Sequence, residues 1–371
     1  MSTSPRGRLH TRAYVPAPVP SLRPEREPTV SIIIPCYNYA RFLSESVPSA
    51  LSQVGIRPEV IIVNDASTDD SAAVADAYAA EDPRVTVIHH RTNTGHVVAF
   101  NDGLAAASGE FIVRLDADDL LTPGSAARAV ALFDEFPAVG LVYGHPRHFE
   151  ESNPPAPRTA VRGWSVWSGA DWIAERCRKG VNCITTPEAV VRGSVARRIG
   201  PLSTRLRYAQ DMEYWLRGAA VSDVGRIDGA DQALHRDHSA SMSVNDGSGQ
   251  LADLIERREV FDVLFDGPGQ ELPEAGALHD EARRSLAANA LWLAAHAYDR
   301  RLTGSVEVDA LVEFALTTYP GSRELPQWRA LRRRQRVGER WSPLVPSFMA
   351  SVVWNKAQRK LRYRQWTRTG V

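Results

Sequence analysis

Short aliphatic and β-branched runs alternate with helix-length segments over roughly the first 145 residues, and this alternation constrains the fold more than any other feature. The runs are 30–34, 60–63, 85–88, 111–115 and 139–143. Between them the pattern predicts helices over 41–53, 69–81 and 97–107, and a fourth opened by Thr122 as N-cap and Pro123 at N1. Thr68 is expected to cap the second helix, which has acids in its first turn. Strands that are apolar throughout are buried on both faces, and strand–helix alternation builds βαβ units on a parallel sheet. The fold class is therefore α/β, with a mostly parallel sheet flanked by helices.

Beyond residue 144 the pattern loosens. A Pro-rich loop (153–157) precedes a stretch bearing Trp164, Trp167 and Trp172, of which Trp164 and Trp167 suit either sugar stacking or a core; a helix is expected near 210–220 and a strand near 232–236. From Leu251 the chain reads as helical, over 251–265, 276–301 and 306–318, without visible chemistry. The Gly/Ser/Asn-rich run 245–249 marks the boundary. The expected organisation is a disordered Pro/Arg-rich arm (1–28), an α/β domain (29–248), a helical extension (249–340) and a basic tail helix (341–371).

Composition removes several classes of function. Lys+Arg and Asp+Glu both number 44, so no global field draws the chain to nucleic acid. Lysine occurs only at Lys179, Lys356 and Lys360. The first half therefore holds neither a Walker A lysine nor a kinase strand lysine, and phosphates bound there must meet Arg, backbone amides or a metal. That Arg skew, with many Ala, reads as GC-rich bacterial coding. Cys36, Cys177 and Cys183 fit neither a disulfide framework nor a Cys-x-x-Cys zinc pair. The first 28 residues hold six prolines and no apolar stretch of signal type, and no run approaches the ~18 apolar residues of a membrane helix. A cytoplasmic setting is expected. Residues 326–371 carry twelve Arg or Lys against one acid, Glu339, and Met349, Val353, Ala357 and Leu361 recur every four residues. Such a helix either lies on an anionic membrane surface, at its inner face, or packs on the bundle with its Arg side in water.

In open parallel sheets ligands bind beyond the carboxyl ends of the strands. Three polar clusters fall there: Pro35-Cys36-Tyr37-Asn38, Asn64-Asp65-Ala66-Ser67 and Asp116-Ala117-Asp118-Asp119. Three carboxylates in four residues repel one another unless a cation joins them, so a divalent metal is the natural partner. An EF-hand is excluded, because its sixth and twelfth positions would be Leu121 and Ala127. A phospho-acceptor receiver domain lacks its later lysine. Asp65 can accept hydrogen bonds from a ribose or base, Tyr37 offers a ring for stacking, and the absence of Gly-x-Gly-x-x-Gly after the first strand disfavours a dehydrogenase.

Taken together, Ser31-Ile32-Ile33-Ile34-Pro35-Cys36-Tyr37-Asn38, Val63-Asn64-Asp65-Ala66-Ser67-Thr68-Asp69, Asn93-Thr94-Gly95, Gly109-Glu110-Phe111-Ile112 and Leu115-Asp116-Ala117-Asp118-Asp119 resemble the family 2 glycosyltransferases of GT-A fold, over about 29–245. The resemblance implies an inverting transferase that moves a sugar from a nucleotide-diphospho-sugar, a UDP-sugar first with dTDP- and GDP-sugars open. The acceptor is a glycan, a lipid-linked sugar or a small molecule. Tyr37, Asn38 and Asp65 would hold base and ribose, with Pro35 and Asn93 lining the base pocket. Asp116 would contact ribose or metal, and Asp118 would ligate Mg²⁺ or Mn²⁺ at the diphosphate. Gln210-Asp211-Met212-Glu213 resembles the family's Glu-Asp pair opening a helix, with Asp211 as general base and Gln210 a departure. His235-Arg236-Asp237-His238 to Ser241 resembles its Arg-x-His-x-x-Ser element. Arg236 and Ser241 would meet the diphosphate and His238 the metal. Phe100 stands where many relatives carry Arg, a second departure for which Arg91 is the candidate substitute. A binder with impaired chemistry and a sugar nucleotidyltransferase are the alternatives; the latter expects a Gly-rich basic loop after the first strand, which is missing.

Overall fold

The computed structural model describes residues 15–16, 27–150, 153–238, 249–348, 360–361 and 366. The elements in chain order are β1 (Val15–Pro16), β2 (Thr29–Cys36), α1 (Ala40–Leu51), β3 (Arg57–Asn64), α2 (Ser71–Glu81), β4 (Val85–His89), α3 (His96–Ala106), β5 (Phe111–Arg114), β6 (Leu120–Leu121), α4 (Ser125–Glu135), β7 (Val139–Glu150), β8 (Gly163–Trp167), α5 (Gly169–Lys179), β9 (Val190–Arg192), α6 (Gly193–Ile199), α7 (Gln210–Val221) and β10 (Asp223–Asp237). Helices α8 (Gln250–Asp266), α9 (Ala275–Arg300), α10 (Val308–Thr318) and α11 (Pro326–Val337) follow.

All strands join one mixed sheet in the order β1-β8-β10-β7-β9-β5-β2-β3-β4, with β6 paired to β10. The half β5-β2-β3-β4 is parallel, as the alternation predicts. The other half departs from that expectation: β9 runs antiparallel between β5 and β7, β8 runs antiparallel to β10, and β7 and β10 are parallel to each other. Strand β9 has three residues and leads directly into α6. It is too short to leave a periodic signal.

The sheet is buried on both faces because its strands alternate between two apolar clusters. Ile33, Ile61 and Val63 point to one face with α3, α5 and α7. Ile32, Ile34, Val60 and Ile62 point to the other, with α1 and α4. The first cluster continues without a break through Phe261, Leu286, Leu311 and Leu331, so helices α8–α11 share a core with the sheet. Trp164 and Trp167 are core residues, 1% and 7% exposed, and no longer candidates for sugar stacking.

Local corrections follow from capping. Gly124, in the left-handed region at φ 71°, rather than Thr122, precedes α4. Thr122 instead donates its hydroxyl to the Asp231 carbonyl. Asp70, not Thr68, precedes α2. Within the arm expected to be disordered, Val15 and Pro16 pair with Trp164 and Gly163. The repeat of Met349, Val353 and Ala357 lies outside the described residues, as does Ser241. Trp366 is described, and its indole N–H donates to the Cys183 carbonyl at 3.2 Å. Among the described residues no helix is long and apolar enough to cross a membrane.

Gly169 opens α5 where a Cβ would lie 1.8 Å from the Ala219 carbonyl oxygen and 2.4 Å from that of Ser222. Backbone on that side cannot yield, so Gly169→Ala should destabilise by about 1–3 kcal/mol. Gly276→Ala, in open space on α9, should be neutral or slightly stabilising. Urea unfolding of both variants checks this; equal midpoints would show that α5 is not packed this tightly.

Candidate active site at the carboxyl edge of the sheet

The loops after β2, β3 and β5 meet at the sheet's carboxyl edge, and two left-handed residues shape them. Asn38 (φ 57°) follows β2 and Ala66 (φ 55°) follows β3. Asn tolerates that conformation because its short side chain bonds locally. Here Asn38 Oδ1 accepts from Thr68 N at 2.7 Å and Asp69 N at 3.3 Å, and Asn38 N donates to Ser67 Oγ at 3.0 Å. Asn38 thus ties the first loop to the second. Beside it Tyr37 is 44% exposed, with its ring open to a ligand. Pro35 is buried within β2 opposite Val63.

Asp65 is buried and engaged on both oxygens. Oδ1 accepts from Thr94 N (2.8 Å) and Thr94 Oγ1 (2.9 Å) and lies 2.7 Å from His90 Nδ1; Oδ2 accepts from Gly95 N at 2.7 Å. Burial works against its charge, but the bonds from Thr94, His90 and Gly95 outweigh it and hold the carboxyl below the usual range. Asp65 therefore builds the 90–95 loop, which presents the exposed Asn93 and Arg91. Asn93 Oδ1 also accepts from Gly95 N at 3.2 Å.

The acidic loop between β5 and β6 is a tight turn, closed by Asp119 N donating to the Asp116 carbonyl at 2.9 Å. Each acid in it has its own partner. Asp116 pairs with Arg114, whose Nε and Nη2 lie 3.0 and 2.9 Å from Oδ1. Burial opposes ionisation of Asp116, but Arg114, His96 and His235 hold its carboxyl low. Asp118 Oδ2 meets His238 Nε2 at 2.8 Å. Burial and then the charge of Asp116 push the Asp118 carboxyl up, with His238 pulling the other way. Asp119 is fully buried; it accepts from Arg236 N at 2.8 Å and meets His235 Nδ1 at 2.9 Å. Burial pushes the Asp119 carboxyl up, and burial likewise disfavours the His235 cation, yet Asp119 raises the His235 pKa overall.

Arg236 is engaged within the protein. Its guanidinium is 2% exposed, packed between the Phe42 and Phe149 rings, and bonded to the Asp118 carbonyl (2.8 Å) and Glu45 (3.0 Å). It fixes the backbone of the acidic loop through the Asp118 carbonyl.

Asp211 stands in the first turn of α7 and completes the cluster. Oδ2 accepts from Asn182 Nδ2 at 2.8 Å and Oδ1 from Met212 N at 2.7 Å. Burial pushes its pKa up to about 7, against Met212 N–H and the Arg114 charge, while Asp116 adds to the rise. Arg114 and Asp116 thus act electrostatically on Asp211, and Asp116 on Asp118, so the acids share one site. Gln210 bonds His96 at 2.8 Å, a link from α7 to α3 made by the amide that departs from the usual Glu. Phe100 is buried against the Tyr214 ring, and its neighbour Asn101 clamps the Leu202 backbone.

Sequence reasoning missed Arg114, His96, His90 and Asn182. A charge ending the apolar run 111–115 was a usable signal for Arg114. Asn182 lies in an irregular stretch that offered none.

Residues 31–195 match the family model described as Glycosyl transferase family 2. Residues 31–195 therefore form a segment of glycosyltransferase family 2 type. An uncharacterized glycosyltransferase of Nostoc sp. is 40% identical over 31% of this chain and 35% of its own length. Glycosyltransferase GlyG of Streptococcus pneumoniae is 33% identical over 33% of this chain and 41% of its own. The matches thus span well under half of those two relatives, whereas an uncharacterized glycosyltransferase of Haemophilus influenzae matches at 24% over 64% of this chain and 74% of its own. Among solved structures, S. aureus TarS 1–349 in complex with UDP-GlcNAc aligns with a TM-score of 0.56 at 16% identity, covering 83% of this chain and 91% of that one. Mannosyltransferase PcManGT from Pyrobaculum calidifontis, with GDP-Man and Mn²⁺, aligns at 0.50 and 22%, covering 91% of each. These similarities show that the chain has the GT-A fold and that the likeness extends into its C-terminal helices.

Asp65→Ala should free the 90–95 loop. Loss of hydrogen bonds to a carboxylate, each about 1.5–3 kcal/mol, predicts amide exchange at Thr94 and Gly95 faster by about tenfold or more. Unchanged exchange at those two amides would show that the loop is held elsewhere.

Proposed function

We propose that this chain transfers a sugar from a nucleotide-diphospho-sugar to an acceptor hydroxyl with inversion, and that Asp211 is the general base. The observation carrying this reading is a carboxyl with pKa near 7, held by Asn182 and Met212 N–H, in electrostatic contact with the acidic loop. A base works best when its pKa lies near the operating pH. Gln210 adds no like charge beside Asp211; burial alone accounts for most of the rise.

In the reaction the acceptor O–H proton passes to Asp211 and the acceptor oxygen bonds the anomeric carbon. The bond from that carbon to the diphosphate oxygen breaks, and the nucleoside diphosphate leaves with the electron pair. One base and no protein nucleophile suffice for inversion. Tyr37, Asn38, Asn93 and the Asp65-built loop would receive the nucleoside. A UDP-sugar is the first donor to test; the complexes of TarS with UDP-GlcNAc and PcManGT with GDP-Man support a donor of this general class.

The donor set fits a hard dication. Asp118 offers a carboxylate whose ionisation is opposed by burial and by the Asp116 charge, and His238 offers an imidazole nitrogen at its side. A cation there relieves the repulsion that the protein leaves in place. Asp118 with His238, and Asp116 once drawn from Arg114, would hold Mg²⁺ or Mn²⁺; such an ion supplies charge stabilisation for the departing diphosphate. The basic tail and a membrane-proximal acceptor remain part of the proposal only as a test of vesicle binding.

Below pH 7 Asp211 is protonated and cannot accept the acceptor proton, so kcat/KM should rise about tenfold per pH unit and level off above about 7. Asp211→Asn should remove that limb and lower kcat by about 10²-fold or more while nucleotide affinity stays unchanged. A variant with normal kcat would move the base elsewhere. Asp118→Asn should abolish the Mn²⁺ stimulation of donor hydrolysis; full turnover of the wild type in EDTA would contradict the metal assignment.

A further inference from the structure

Asp211 also lines an open cleft, of about 340 Å³, that residues of the C-terminal helices line as well. Asn182 and Tyr208 stand on the sheet side, and Asp253 and Arg257 of α8 and Asn289 of α9 stand opposite. The helices do more than border it. Glu256 of α8 accepts from Arg207 N at 3.1 Å, Tyr208 N at 2.6 Å and Ala209 N at 2.8 Å. The segment leading into α7, and with it the placement of Asp211, is thus held by a carboxylate from α8.

The polar groups in the cleft are unequally satisfied. Arg257 is 8% exposed, donates to the Gly180 carbonyl at 2.7 Å, and pairs with Asp253 and with Asn289 Oδ1 at 3.3 Å. Its Nε is buried and has no hydrogen-bond partner among the described residues. A buried donor left unpaired is costly, and an incoming oxygen atom would relieve it. Asp253, about half exposed, keeps acceptor capacity on its carboxylate. Asn182 is committed, with its amide used on Ile184 and Asp211 and its oxygen on Cys183 and Ile184.

Charge decides the class of ligand. Two carboxylates, Asp211 and Asp253, face one guanidinium that is already paired, so a phosphate or carboxylate would meet net repulsion. Hydroxyl groups suit the same set, since they donate to Asp253 and Asp211 and accept from Arg257 Nε. Tyr208 supplies a ring beside them.

We propose that this cleft binds the acceptor, and that the part it holds is an uncharged polyhydroxylated sugar recognised by Asp253, Arg257 and Asn289 of the helical extension. The inference rests on Asp211 being the base. It assigns acceptor recognition to the C-terminal helices and donor recognition to the loops of the parallel half-sheet.

Saturation-transfer NMR on the full chain tests it, with methyl glycosides of glucose, galactose, mannose and N-acetylglucosamine as probes against glucose 6-phosphate and mannose 6-phosphate. UDP affinity in Mn²⁺ is measured in parallel by calorimetry. The expected result is transfer to at least one methyl glycoside, weakened about fivefold by Asn289→Ala or Asp253→Asn, the worth of one hydrogen bond. UDP affinity should stay within about twofold of wild type in both variants. The proposal is overturned if no glycoside receives transfer, if the sugar phosphates are preferred, or if both variants leave the glycoside signals intact. Failure of the wild type to bind UDP would instead sink the transferase reading, and glycoside signals lost in the variants would then still locate the sugar in this cleft.

Discussion

Five carboxylates crowd one edge of a buried sheet, and the structure depends on each being answered separately. Arg114 answers Asp116, His238 answers Asp118, His235 answers Asp119, the 90–95 loop answers Asp65, and Asn182 answers Asp211. In a low-dielectric setting a single missing partner would drive proton uptake or local opening. The answers differ in kind, and so do the resulting acids. Amide donors keep Asp65 ionised for a scaffolding role, whereas a neutral amide and burial leave Asp211 near 7, where proton exchange is useful.

The parallel half of the sheet was legible because its strands are uniform apolar runs with helices between them. The polar residues after those strands were legible because the topology gathers strand ends at one edge. The antiparallel half was not. Strand β9 has three residues, and β10 is a 15-residue strand of which only the stretch near 232–236 carried a signal. Register shifts between Arg226 and Ala233 break its period, so no fixed alternation runs through it.

Residue positions were more legible than the contacts each residue makes. Asp116, Asp118, His238 and Asp211 lie together, but a linear motif cannot tell which side of a loop a side chain serves. Arg236 illustrates this. Its neighbours Phe42, Phe149 and Glu45 are distant in sequence, and with them it braces the acidic loop. Asp65 likewise engages the backbone of Thr94 and Gly95 and the side chains of Thr94 and His90. Gln210 shows the reverse: a departure that looked like damage makes a bond to His96 instead.

The unbroken apolar cluster from Ile33 to Leu331 has an evolutionary cost. A module joined by a flexible hinge can be exchanged between relatives with little penalty, but here the C-terminal helices are fused into the interior of the domain they serve. Any lineage altering the packed faces of those helices must recut the matching surfaces of α5 and α7 in step. Diversification of this chain should therefore proceed by point changes on α8 and α9 rather than by wholesale swapping of the bundle.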